Sequence, residues 1–240
     1  MQRTKRTRWG GLAAAMALAW ASNAGALTLP FTEDFATDVA GWEDSINDPL
    51  TFVASGGPDG SSFAEAQFNF NGFSSPFGGG PVIFRASASD DPSGGAFVGD
   101  WAAGGVTALS ALVRQDTGVD LEFFARVATS FNFPGAVLEN ADPVIVPSGV
   151  WTEVVWEIPP PDAQCALEGV ATCDEALASV GNLQLGTNAP ASLTSLDQAF
   201  SFGIDQVSLV PEPGTATLLG VGLLGLFGLG RPRRDGSAAR

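Results

Sequence analysis

The 240-residue sequence predicts an all-β, antiparallel β-sandwich, flanked by an N-terminal export leader and a C-terminal apolar span. Three observations carry that expectation. Short apolar runs recur between clusters of Gly, Pro, Asn, Asp and Ser, the punctuation of strands and turns. Alternation of period two places Leu121, Phe123, Ala125 and Val127 on one face, with Asp120, Glu122 and Arg126 on the other. Charge is partitioned along the chain, with eight of the eleven basic residues lying in the two end segments.

The leader is residues 1–26. Arg3, Lys5, Arg6 and Arg8 form a positive start, residues 10–21 a short apolar stretch, and Ala24-Gly25-Ala26 a small-residue cleavage site. Export by the general secretory route follows, so secretion machinery is an expected partner. Fold reasoning belongs to residues 27–209.

Strands are expected at 51–54, 63–70, 82–87, 96–98, 106–114, 119–128, 151–158, 183–185 and 200–209. A second alternation runs through Val150, Thr152, Val154, Trp156 and Ile158, with Glu153 and Glu157 opposite. The one helical expectation is 173–180, where Asp174 and Glu175 suit a first turn. Residues 69–81 are too glycine-rich to pack and are expected as a mobile surface loop. Some nine strands in one domain fit two packed sheets.

Between the end segments only Arg85, Arg114 and Arg126 stand against 24 acids. Such a domain repels nucleic acid and anionic lipid, so neither is an expected partner. The sequence holds no histidine, which removes Ser-His-Asp and Cys-His nucleophile systems and the usual zinc sites. Enzyme chemistry would rest on carboxylates alone. Glu153 and Glu157 lie ~13 Å apart along one strand, against the ~5–5.5 Å that a retaining glycosidase needs. No catalytic residue is assigned. Cys165 and Cys173, eight positions apart in an exported segment, are expected to form a disulfide.

The C-terminal segment 210–234 carries the strongest motif. Pro211-Glu212-Pro213 precedes an uncharged run at 215–230, followed by Arg231, Arg233 and Arg234. As a helix the run would be ~24 Å long, just short of a hydrocarbon core. The arginines would stay cytoplasmic, with residues 235–240 as a cytoplasmic tail. This order of features closely resembles the PEP-CTERM sorting signal, the substrate of exosortase-type enzymes. The resemblance implies a protein anchored in the inner membrane at least transiently, then delivered to the cell surface or outside, often beside exopolysaccharide. An ordinary membrane anchor is the alternative.

Inside the domain, Phe31-Thr-Glu-Asp-Phe35 with Gly41-Trp42 resembles the first strand and loop of galactose-binding and carbohydrate-binding jelly rolls. Phe202-Gly-Ile-Asp-Gln-Val-Ser-Leu209 resembles their last strand, and Gly99-Asp100-Trp101 and residues 149–156 resemble others. A jelly-roll-like sandwich is implied, with its first and last strands in one sheet. The resemblance also implies a possible structural calcium at Glu33, Asp34 and Asp205, whose hard oxygen ligands suit Ca²⁺. Sugar stacking is implied at Trp42, Trp101 and Trp151, with Phe73 and Phe77 in the glycine-rich loop. Trp151 shares a face with Glu153 and Glu157 and is the better exposed candidate, whereas Trp156 sits on the apolar alternation. The reading is a non-catalytic surface or matrix protein associated with exopolysaccharide or biofilm. The alternatives are a dedicated carbohydrate-binding module and, remotely, a carboxylate-based glycoside hydrolase or lyase. Replacing Glu212, or deleting Arg231, Arg233 and Arg234, is expected to mis-sort the protein in a cell-fractionation assay. An unchanged surface distribution would count against the sorting signal.

Overall fold

The computed structural model describes residues 27–74 and 80–212. The expected leader, the apolar span at 215–230, Pro213, Arg231, Arg233, Arg234 and Phe77 lie outside the described residues. Among those described, no helix is long and apolar enough to cross a membrane.

Period-two alternation builds two antiparallel sheets that share one core. The strands are β1 (Phe31–Glu33), β2 (Thr51–Val53), β3 (Phe63–Asn69), β4 (Val82–Ser87), β5 (Val106–Gln115) and β6 (Leu121–Ala128). They continue as β7 (Gly135–Leu138), β8 (Ile145–Val146), β9 (Thr152–Glu157), β10 (Cys165–Glu168), β11 (Asn182–Thr187) and β12 (Ala199–Pro211). Three short helices, α1 (Trp101–Gly104), α2 (Cys173–Leu177) and α3 (Ala191–Thr194), close the connections. The first sheet has the order β2-β3-β12-β5-β9, with β1 beside the far half of β12. The second runs β10-β7-β6-β11-β4, with β8 on β6. First and last strands meet, as the resemblance implied: Phe31 stands opposite Leu209.

Leu109, Ala111 and Val113 of β5 and Phe202 and Ile204 of β12 face inward from the first sheet. From the second come Leu121, Phe123, Ala125 and Val127 of β6, with Leu183 and Leu185 of β11. Phe202 joins the layers, its ring centroid 6.5 Å from that of Phe123 and 6.0 Å from that of Phe70. Burying rings of this size is the largest apolar contribution a side chain makes to such a core.

Several expectations are corrected. Residues 96–98 form no strand: Val98 N donates to Gly95 O in a turn, and only Gly99 bridges onward, to Val180. Trp101 is not in a strand either. It opens α1, because the Asp100 carboxylate accepts from Ala103 N and caps a helical turn. The expected helix at 173–180 stops at Leu177, capped at its start by the Thr172 hydroxyl on Glu175 N. Strands β7, β8 and β10 escaped the sequence reading because two to four residues are too few to show a period.

Phe202→Ala is expected to cost about 3–5 kcal/mol, the range for deleting a buried aromatic ring. Denaturant unfolding measures it; a loss below about 1 kcal/mol would mean that this ring does not join the sheets.

Candidate functional site

The outward residues of β6, β11 and β4 carry the most distinctive polar constellation among those described. Antiparallel register sets Gln184 opposite Arg126 on one side and Arg85 on the other. Glu43 extends the row, exchanging both backbone hydrogen bonds with Arg85 at 2.8 and 2.9 Å. The result is Glu43–Arg85–Gln184–Arg126 across the sheet. Because directly opposed residues share a face, all four project outward, away from the core.

Three members of the row, Arg85, Gln184 and Arg126, floor a groove of about 700 Å³, lined also by Phe124, Asn132, Phe133, Val137, Glu139, Leu167 and Glu168. Two of the domain's three arginines therefore stand in one groove, and they differ. Arg126 is fully engaged. Its Nε and Nη2 reach Glu168 Oε2 at 2.7 and 2.6 Å. Its Nη1 donates to Asn132 Oδ1 at 2.8 Å and Gln184 Oε1 at 3.0 Å, and its Nη2 to Asn132 O at 2.9 Å. Gln184 Nε2 closes the ring on Asn132 Oδ1 at 2.7 Å. Charge-assisted bonds of this kind fix orientation as well as adding energy.

Arg85 is looser. Its Nη1 donates to Asn47 Oδ1, while its Nε is buried with no hydrogen-bond partner among the described residues. Burial lowers its pKa, the nearby Glu43 carboxylate works against that, and Arg126 lowers it further. Burial in turn raises the pKa of Glu43, and Asp90 adds to the rise. An unsatisfied buried donor on a groove floor is a group that a ligand oxygen can complete.

The groove wall rests on the disulfide. Cys165 and Cys173 are bonded and close the loop that carries Glu168 and Gly169. Gly169 has φ +75°, and a Cβ there would lie 2.4 Å from Phe133 Cζ, so glycine lets the Phe133 ring settle against the loop. Phe133 remains 61% exposed in the groove lining, and Phe131, two residues earlier, is 90% exposed. Sequence reasoning missed these residues. Their signal was Phe131-Asn-Phe-Pro134 in a turn, where phenylalanine has no core to fill.

The expected site residues do not gather into one site, although Glu33 and Asp34 lie near Asp205. Trp42 and Trp101 are wholly buried, with Nε1 bonded to Ser93 Oγ and Phe97 O, so neither presents a ring face to a sugar. Trp156 is buried as expected, and Trp151 lies half-buried on the outer face of the first sheet. Phe73 packs edge-on against Phe68. Glu33 and Asp34 each spend a carboxylate oxygen on a nearby backbone N–H, of Phe35 and Ala36. Asp205 is buried at the β12 bulge and accepts from Ser61 Oγ and Gln206 N. Among the described residues no group of three or more such side chains is arranged to hold a metal. Of the sorting motif, Pro211 ends β12 opposite Val106, and Glu212 N donates to Gly105 O.

No family model matches the chain, and no curated protein matches it. Solved structures of similar shape include the module pair CBM22-1–GH10 of Clostridium thermocellum endo-1,4-β-D-xylanase 10B, complexed with xylohexaose. It is 16% identical over 76% of this chain, with a TM-score of 0.47, and the match spans 28% of that chain. The CBM22-1 xylan-binding domain from Paenibacillus barcinonensis is 14% identical over 75% of this chain and 94% of its own, with a TM-score of 0.42. The family 11 carbohydrate-binding module of a C. thermocellum cellulosomal cellulase is 9% identical over 78% and 96%, also at 0.42. Likenesses at this level leave the ligand to be read from the groove itself.

Burial raises the pKa of Asp205, and the nearby Asp34 and Glu33 carboxylates add to the rise. A raised folded pKa gives stability that is full below the unfolded value and is lost as pH climbs through the folded one. Asp205→Asn, free of divalent cations, is therefore expected to melt higher than the parent at pH 7, by on the order of 2–4 °C. The gap should close as pH falls below the ordinary carboxylate range. A variant that melts lower at pH 7 only when Ca²⁺ is added would instead reveal a cation at this corner.

Proposed function

We propose that the chain is an exported, non-catalytic carbohydrate-binding protein, and that the groove on its second sheet grips a polysaccharide segment. The observation that carries the reading is the row Arg85–Gln184–Arg126 on the floor of a groove that an exposed Phe133 also lines. Sugar rings present hydroxyls that donate and accept, together with apolar C–H faces. Alternating carboxylate, guanidinium and amide groups answer the hydroxyls, and a rim aromatic answers the ring face. Arg126, locked by Glu168, Asn132 and Gln184, supplies a preorganised edge. Arg85 supplies the unfilled donor.

Charge narrows the ligand class. The two arginines of the groove are matched by Glu139 and Glu168 in its lining and by Glu43 beside Arg85, and the surrounding domain is strongly acidic. A neutral polysaccharide fits that field better than a polyanion, which the domain would repel. Glu168 is held by Arg126, which supports a recognition role rather than proton transfer. Two of the similar structures carry sugars, xylohexaose in one and a β-1,3-1,4-mixed-linked tetrasaccharide in a family 11 module. Both are suitable probes. Export by the leader and sorting by the Pro-Glu-Pro tail, through an exosortase-type enzyme, would bring the domain to extracellular polysaccharide at the cell surface.

Affinity electrophoresis against soluble xylan, mixed-linked β-glucan and polygalacturonate tests the reading. Retardation is expected with a neutral polymer and not with polygalacturonate. Phe133→Ala, an exposed position, should weaken binding at least tenfold with an unchanged melting temperature. Absence of retardation by every polymer would overturn the function.

A further inference from the structure

We propose that the outer face of the first sheet carries a second glycan platform built on Trp151, so that one domain holds two polysaccharide chains at once. The platform stands on its own geometry, while the bridging rests on the groove of the second sheet as well.

Of the four described tryptophans, Trp42, Trp101 and Trp156 are fully buried, and only Trp151 is partly exposed. It precedes β9, the edge strand, on the same face as the exposed Glu153. From there the indole reaches across β5 to the central strand β12. A Cβ on Gly203 would lie 2.7 Å from Trp151 Cη2 and 3.2 Å from the Phe63 ring. Glycine in a strand interior weakens it and marks a close approach. Here it makes room for the indole. Two further contacts fix the ring: Nε1 donates to Gly56 O at 3.0 Å, and Phe63 meets it edge-on with centroids 5.2 Å apart.

Polar groups surround it. Register places Arg114 and Glu65 on either side of Gly203, and Gln67 opposite Ser201 one pleat further along the same face. Arg114 Nε is steadied by Gly149 O, and Gln67 Nε2 donates to Ser201 Oγ and Glu65 Oε1. These groups stand within about one or two strand spacings, ~5–10 Å, of the ring. A fixed aromatic face ringed by a guanidinium, a carboxylate, an amide and a hydroxyl suits the C–H face and hydroxyls of a neutral pyranose. Since the groove lies on the opposite side of the sandwich, the same short stretch of sugar chain cannot occupy both sites.

The test uses the full chain in a mild detergent, with xylohexaose, soluble xylan and mixed-linked β-glucan as probes. Calorimetry with xylohexaose should give two sites per chain, and Trp151→Ala should leave one. Light scattering with the polymers should rise for the parent and stay at baseline for Trp151→Ala, which still binds. Trp151→Phe, checked by melting temperature, should retain part of the bridging and so separates stacking from folding. One site per chain, with scattering indifferent to Trp151→Ala, would overturn the second platform alone. Loss of both sites in Phe133→Ala would do the same. Failure of the parent to bind any probe would overturn the groove as well.

Discussion

Strict alternation along paired strands is the constraint from which both the core and the groove arise. On β6, sending Leu121, Phe123, Ala125 and Val127 inward obliges Glu122, Phe124 and Arg126 to face out. The same holds on β11, where Leu183 and Leu185 turn inward and Gln184 outward. A slip of one residue between these strands would bury the guanidinium of Arg126 and expose Phe123, and burying an unpaired charge is prohibitive. Core formation therefore also selects the register that aligns Arg85, Gln184 and Arg126. That row needs no separate folding instruction.

The two arginines show how an acidic domain can use cations sparingly. Arg126 is saturated by Glu168, Asn132 and Gln184, so its contribution is shape: it holds Asn132 and the disulfide-closed loop at the groove wall. Arg85 has given up solvent without filling its Nε, and its lowered pKa has the same origin. A rigid, satisfied neighbour beside an unsatisfied donor is the arrangement expected where ligand binding should cost little reorganisation. On the opposite face Trp151 is fixed by Gly203, Phe63 and Gly56 in a comparable way, using contacts that belong to the fold itself.

How much of this was legible in the sequence follows from what periodicity can carry. The long strands β5, β6, β9 and β12 announced themselves because each repeats its pattern several times, and the close spacing of Cys165 and Cys173 signalled their bond. Ala96–Val98 was misjudged because three apolar residues have no measurable period, and Gly94 and Gly95 turn the chain there. The groove was invisible because it joins Arg85, Arg126 and Gln184 across three strands, and only register makes them neighbours. Tryptophan drew attention as the usual sugar platform, yet Trp42 and Trp101 are core, while the rim aromatics are phenylalanines in a turn.

The central claim is that the arginine row of the second sheet contacts sugar, and arginine side-chain resonances test it most directly. With ¹⁵N-labelled protein titrated with xylohexaose, the Nε–H signals of Arg85 and Arg126, assigned by substitution, should shift in a saturable way. Arg85 should show the larger change, because its Nε, unlike that of Arg126, has no partner among the described residues. Saturable binding that leaves both signals unmoved would contradict the account.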